Sequence, residues 1–472
     1  MKRIFISLTL FVCSVASVLA QQTPKYVFYF IGDGMGVNQV NGTETYMAAV
    51  EGRIGIKPLT FADFPYTALA TSYSASNGVT DSAAGGTALA TGEKTYNGCL
   101  GLLPDSITPV TSVAVWAQNA GAAVGVTTSV SVDHATPASF YAHQNDRGKY
   151  YEVGKDLIAS KFDFFAGSDF LKPTKKDSNE PSLYEQCEKA GYTIARGYKD
   201  YQKKCKKADR MIMFQTEAAS KIDRTSIPYA IDRKKGDMTL QEITRAAINF
   251  LYKKNPDKFF LMVEGGKIDW ACHANDAATV FEEIKDMDDA VRVAYEFYCQ
   301  HPDETLIVIT ADHETGGIGL GNGDYTQRSE LLSYQRRSAP EFSAHIKSLR
   351  AKLGDDKFTY DVVRKALTEY FGFWKAVKLS EYQEDQLQRA YDNMMAGKDK
   401  NAKSMYADES GFGNLAKSIL NRNAKLGWTS GAHTNGYVPV FAIGAGAEIF
   451  HGRINNTDIP KMISKVAGYR NN

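Results

Sequence analysis

The chain has 472 residues, and its 55 basic and 54 acidic side chains leave a formal net charge of +1. That balance excludes the general basic field of a nucleic-acid wrapper, and hydrophobic and charged fractions of 43% and 23% exclude disordered and collagen-like chains. Length alone suits about three domains, a prior to be weighed against where the chemistry falls.

In chain order, residues 1–20 read first, as an export signal. Lys2 and Arg3 give a positive start, Ile4 to Leu19 is apolar but short for a span, and Val18-Leu19-Ala20 offers a cleavage site. The mature chain, 21–472, is therefore expected to be periplasmic or secreted. No later stretch is long and apolar enough to cross a membrane. Of six cysteines, loss of Cys13 leaves Cys99, Cys187, Cys205, Cys272 and Cys299, an odd number. Cys187 and Cys205 flank a short polar stretch and are the expected disulfide, while Cys272 reads as packing.

Tyr26 to Ile31 is a continuous apolar run that ends in Gly32-Asp33-Gly34-Met35-Gly36, as a buried parallel strand delivering its end to a loop would. A helix follows at Ser82 to Thr91, then strands at Ala123 to Thr128 and Phe259 to Val263, with a helix at Leu240 to Tyr252 between them. One long amphipathic helix is expected from Ile268 to Tyr298, and further strands at Thr305 to Thr310 and Val438 to Ile443. This alternation predicts an α/β fold with a central, mostly parallel sheet flanked by helices, and ligands at the carboxyl ends of its strands. Two regions break the pattern. Ser178 to Lys235 is polar and lysine-rich, and about 324–426 is charged and helical; the latter reads as a helical insertion, since a strand follows it.

The chemistry gathers where strands end. Asp33 sits in the glycine-rich turn after the first strand. Glu264 closes another strand, and Asp269 and His273 follow at i and i+4, on one face of a starting helix. Asp312 and His313 close a third, and His433 precedes the last. Carboxylate and imidazole without thiolate favour zinc or a similar metal, and added carboxylate and hydroxyl oxygens suit magnesium. Singly, each has an ordinary reading, as a helix N-cap or a hydrogen-bonded surface group. His143, His301, His345 and His451 lack such company. Ser82, in Thr80-Asp81-Ser82-Ala83-Ala84-Gly85-Gly86, is the nucleophile candidate: small residues open a helix whose first amides can face an anion, and a metal on its oxygen would lower its pKa. The competing reading makes Asp81 or Ser82 only an N-cap.

Six segments resemble the alkaline phosphatase family, in its order and over nearly all of the mature chain. They are Ile31-Gly-Asp-Gly-Met-Gly36, Thr80-Asp-Ser-Ala-Ala84, His134-Ala-Thr-Pro137, Val263-Glu-Gly-Gly-Lys-Ile-Asp269 with His273, Thr310-Ala-Asp-His313 and Gly431-Ala-His-Thr434. The resemblance implies a phosphomonoesterase with two zinc ions and a third ion, usually magnesium. It implies that Asp269, His273 and His433 hold one zinc, that Asp33, Asp312, His313 and Ser82 hold the other, and that Asp33, Thr136 and Glu264 hold the third ion. It further implies that Arg147 clamps phosphate and that Ser82 carries a phosphoserine intermediate, with small phosphomonoesters as substrates and homodimerisation common among relatives.

Two positions depart from the family pattern. His134 stands where some members have Asp, which is expected to favour zinc or cobalt over magnesium, or to leave His134 as an outer partner acting through water. Trp270 stands where several relatives carry Lys or His, and lacks their charge. A phosphodiesterase or sulfatase of the same fold, and a non-catalytic secreted metal binder, are the alternative readings. Because the named residues run from Asp33 to His433, one sheet domain enlarged by an insertion replaces the three-domain prior.

Overall fold

The structure is a computed structural model and describes residues 23–399, 402–403, 405–406 and 408–469; the expected signal segment, with Cys13, lies outside these. Ten strands form one sheet: β1 Tyr26–Ile31, β2 Tyr66–Thr71, β3 Ala123–Thr128, β4 Phe164–Gly167, β5 Tyr192–Arg196, β6 Arg210–Phe214, β7 Phe259–Glu264, β8 Thr305–Thr310, β9 Val438–Gly444 and β10 Gly452–Asn455. Their spatial order is β10-β2-β9-β8-β1-β7-β3-β4-β6-β5, and β9 is the strand that pairs antiparallel with both its neighbours. Every residue of β1, β3, β7 and β8 is buried, which is why these strands read as mostly apolar runs without alternation, with polar residues at the ends of β3, β7 and β8.

Register turns this sheet into a platform. Ile31 lies beside both Glu264 and Thr310, and Thr128 lies beside Glu264, so β1, β3, β7 and β8 end level with one another. Whatever follows these four strands must emerge at one carboxyl edge.

Three expectations need correction. The polar stretch from Ser178 to Lys235 does not interrupt the alternation: it holds β5, β6 and three short helices, Leu183–Lys189, Tyr198–Lys204 and Glu217–Ile222. Its lysines were misleading because they sit on exposed faces of short helices and in exposed turns, while Met211 to Phe214 is buried core. The Cys187–Cys205 disulfide is absent, and all five described cysteines are free thiols. A strand and a helix intervene between those two positions; Cys187 is buried on a helix packed against Tyr150–Ser160, whereas Cys205 ends a helix packed against Leu240–Lys254. Burial pushes the Cys187 thiol up to about 12, so it stays protonated.

The expected single helix from Ile268 to Tyr298 is two, Lys267–His273 and Ala277–Gln300. Asn275 adopts a left-handed φ of 52°, and the Asp276 carboxylate caps the second helix by accepting from Thr279 N–H at 3.3 Å. The break ends the first helix just as His273 reaches the sheet edge.

Residues after β8 supply the helices Ala339–Leu353, Tyr360–Phe371, Glu381–Met395 and Gly411–Asn423. Their apolar faces meet around Phe342, whose ring lies 4.9 Å from Phe371 and 6.4 Å from Phe412, and this core is continuous with that of the sheet. A short antiparallel pair, Ala402–Lys403 with Asp408–Glu409, precedes the last of these helices. Its Glu409 is fully buried in an ion pair with Lys417.

Candidate active site and metal centre

Asp33 leaves β1 through a turn that only glycine fits. Gly34 has φ +73°, and a Cβ there would lie 2.9 Å from the Asp269 backbone; its N–H donates to Asp312 Oδ1 at 3.2 Å. Ser82 opens the Ser82–Thr91 helix, with the Asp81 carboxylate capping it at Ala84 N–H, 2.9 Å away. The N-cap is therefore Asp81, and Ser82 is the first residue of the helix. A Cβ on Gly85 would lie 2.9 Å from Asp312 carbonyl oxygen, so glycine lets this helix start directly against the end of β8. Asp269 and His273 share one face of their helix, His273 Nε2 lying 3.4 Å from Asp269 Oδ2.

The level strand ends bring these residues into three groups whose ligand atoms lie within 4.8 Å of one another: Asp269, His273 and His433; Asp33, Asp312 and His313; Asp33, His134 and Glu264. Ser82 Oγ joins the second at 3.2 Å from His313 Nε2, which also lies 3.3 Å from Asp33 Oδ1 and 3.4 Å from Asp312 Oδ2. Thr136 Oγ1 bridges Asp33 and Asp312 at 3.4 and 3.3 Å. One ring nitrogen of His134, expected either to favour zinc or cobalt or to act through water, lies within 4.8 Å of an oxygen of Asp33 and of Glu264.

Hydrogen bonding fixes the imidazoles. His273 Nδ1 and His433 Nδ1 face the carbonyls of Gly431 and Thr80 at 2.7 and 2.8 Å, so each must donate there. In their neutral forms the two Nε2 lone pairs then point at each other across 3.1 Å, a repulsive arrangement that a shared cation relieves. The Thr315 hydroxyl donates to Asp269 at 2.6 Å and so accepts from His313 Nδ1 at 3.2 Å, leaving the His313 Nε2 lone pair among carboxylates. Asp33 Oδ1, Glu264 Oε1, Asp269 Oδ2 and His134 Nδ1 are buried with no hydrogen-bond partner among the described residues.

Charge accumulates accordingly. Burial first, then neighbouring carboxylates, pushes Asp33 well above the usual carboxylate range; burial likewise raises Glu264 to about 8 and Asp312 to about 7. Burial also acts on Asp269, but the surrounding His273, His433 and His313 outweigh it and hold it below the usual range. Burial and then Arg147 lower His134 to about 3, which keeps its imidazole neutral and able to bind a metal.

Arg147 reaches the site through Asp81, its Nη1 lying 3.1 Å from Asp81 Oδ2, beside the Ser82 helix start. Trp270 is buried, edge-on to His134 with ring centroids 5.8 Å apart. Sequence reasoning missed two neighbours. Thr315 sat in plain view two residues after His313. Tyr406 gave no signal, being one aromatic in a polar insertion, yet it stacks on Trp270 with centroids 4.6 Å apart and planes 10° apart, and its ring meets His134 and His273 edge-on.

Comparison with known proteins agrees with this geometry. The alkaline phosphatase family model matches residues 24–163 and 216–469; the unmatched stretch is the β4 to β6 edge of the sheet. Alkaline phosphatase 3 of Bacillus subtilis is 32% identical over 458 residues, covering 95% of this chain and 90% of its own, and alkaline phosphatase 4 of the same organism is 32% identical over 395 residues, covering 82% and 76%. Among solved structures, the cold-active alkaline phosphatase of Shewanella sp. superposes with a TM-score of 0.76 at 27% identity, covering 94% of this chain and 99% of its own. A histidine-to-glutamate variant of TAB5 alkaline phosphatase, described with Mg bound in its M3 site, superposes at 0.67 with 26% identity, covering 96% and 100%.

Proposed function

The chain belongs to the alkaline phosphatase family, and from that premise we propose an exported, metal-dependent phosphomonoesterase that works through a phosphoserine on Ser82. The observation that carries this reading is the Ser82 hydroxyl at a helix start, 3.2 Å from His313 Nε2 and next to three converging groups of buried carboxylates and imidazoles.

The residues fit a metal centre because their unpartnered buried oxygens and opposed nitrogen lone pairs lack only a cation. Asp269, His273 and His433 would hold one zinc; Asp33, Asp312, His313 and Ser82 a second; Asp33, Thr136 and Glu264 the third ion, magnesium or a further zinc. His134 would join this last set, and its nitrogen donor tilts the preference toward zinc. When bound, such ions supply Lewis-acid stabilisation of the oxygens entering and leaving phosphorus, and the positive field that a chain of net charge +1 does not provide.

The protein's own groups do the rest. Arg147, steadied by Asp81, offers its remaining N–H donors to two phosphate oxygens, and the Ser82 and Ala83 amides, which lack intrahelical acceptors, add to the positive helix start while Ala84 N–H is taken by Asp81. Ser82 Oγ then attacks phosphorus and the alcohol departs. Hydrolysis of the phosphoserine regenerates the hydroxyl and releases inorganic phosphate, two inversions giving net retention. A homodimer is the assembly proposed, by likeness to relatives.

The test sets an aryl phosphate, an aryl sulfate and a phosphodiester side by side, before and after chelation and with zinc and then magnesium restored. Preferential phosphomonoester hydrolysis that vanishes on chelation and returns with zinc is expected. A preference for sulfate or diester, or activity indifferent to chelation, would refute the reading.

A further inference from the structure

Just past β8 the chain forms a two-residue strand, Glu314–Thr315, that pairs antiparallel with His433–Thr434, His433 opposite Thr315 and Thr434 opposite Glu314. Side chains alternate across such a pair. On one face His313, Thr315 and His433 turn toward the ligand groups, the Thr315 hydroxyl meeting Asp269. Glu314 and Thr434 fall on the other face, and there the Thr434 hydroxyl donates to Glu314 Oε2.

Glu314 is buried, and its carboxylate collects two further donors: Gln39 Nε2 on Oε1, and Gly317 N–H at 3.0 and 3.2 Å from the two oxygens. Gln39 Nε2 also donates to the Thr315 carbonyl oxygen at 2.8 Å, so the helix Val37–Val50 that follows the Asp33 turn is tied to the same strand. Glycines make room for this side chain. A Cβ on Gly36 would collide with Glu314 Cγ, and one on Gly436 would lie 3.2 Å from Glu314 Cβ and Cγ. Glu314 thus sits where the loops carrying Asp33, His313 and His433 meet, without belonging to any of the three ligand groups.

A pair this short holds its register with few backbone bonds, and a slip by one residue would turn His433 to the wrong face. We propose that Glu314 is the positioning residue that pins this register. Through Thr434 it holds His433 Nε2 at 3.1 Å from His273 Nε2, and thereby sets the affinity of the Asp269, His273 and His433 group for its zinc. A carboxylate suits the task because it only accepts, and each group facing it donates. The inference rests on the metal-dependent reading and adds to it a residue outside the ligand set.

Calorimetric zinc titration of the chelated protein tests it in wild type, Glu314→Gln and Thr434→Val, the last removing a single hydroxyl at similar volume should Glu314→Gln not fold. Each variant should bind one zinc ion about tenfold or more weakly and the other as wild type does. His433→Ala identifies the affected ion. Adding Glu314→Gln to His433→Ala should cost little further zinc affinity, since both changes act on one ligand. Wild-type affinity in both single variants, equal weakening of both zinc ions, or a Glu314→Gln loss that persists in full beside His433→Ala would overturn the role. A lowered Tm with unchanged zinc affinity would do the same, leaving Glu314 a brace of the fold alone. A wild type that takes up no zinc would instead refute the metal-dependent reading itself.

Discussion

Two imidazole nitrogens held 3.1 Å apart, each with its other nitrogen committed to a carbonyl, state at the scale of single residues what this site is built to receive. Replacing His433 by Ala should therefore empty one zinc position. The loss of metal affinity should exceed the roughly 10–100-fold that removal of an outer partner typically brings. Zinc titration of the chelated protein, read by calorimetry, checks it. The buried carboxylates give a second expectation, with a definite sign. Glu264 and Asp312 sit at about 8 and 7 in the metal-free protein, above ordinary carboxylate values, so the folded state holds protons that the unfolded chain releases. Their stabilising protonation is complete below the unfolded pKa and lost as pH rises through the folded one. The Tm of the chelated protein should thus fall between about pH 5 and 8, and added zinc should remove that fall; a flat chelated profile would show that these groups do not couple to folding. Asp269 and His273 were legible because helical spacing alone puts them on one face. Arg147 was legible only through resemblance, because its tie to Asp81 spans 66 residues of chain. Tyr406 was not legible at all, since stacking on Trp270 depends on where an insertion folds back.

At the scale of elements, the wall over the site depends on an ion pair. Lys417 and Glu409 are both fully buried, and together they anchor the strand pair that carries Tyr406. Lys417→Met strands a buried carboxylate and should cost about 3–5 kcal/mol in urea unfolding. Lys417→Met with Glu409→Leu should recover most of that loss; a single variant as stable as wild type would mean the pair anchors nothing. Strands buried on both faces, β1, β3 and β8, showed their full length in sequence as largely apolar runs without alternation. β5, β6 and the Asn275–Asp276 helix break did not. β5 is a short edge strand carrying polar residues, β6 is a short apolar run among lysines, and a side-chain cap can end a helix without interrupting its apolar periodicity.

For the molecule as a whole, the four strands with level ends, β1, β3, β7 and β8, help bring together residues from Asp33 to His433, positions 400 residues apart in the chain. Near-neutral charge agrees with a design in which the field for phosphate is local, carried by Arg147 and by whatever cations the three groups receive. The central claim is that Ser82 receives the phosphoryl group. Its most direct test is mass spectrometry of the zinc-loaded protein, quenched in acid during turnover of an aryl phosphate and digested. One phosphoryl group on the peptide containing Ser82, absent from Ser82→Ala, is the result predicted. An unmodified Ser82 peptide during active turnover, or Ser82→Ala hydrolysing at the wild-type rate, would contradict it.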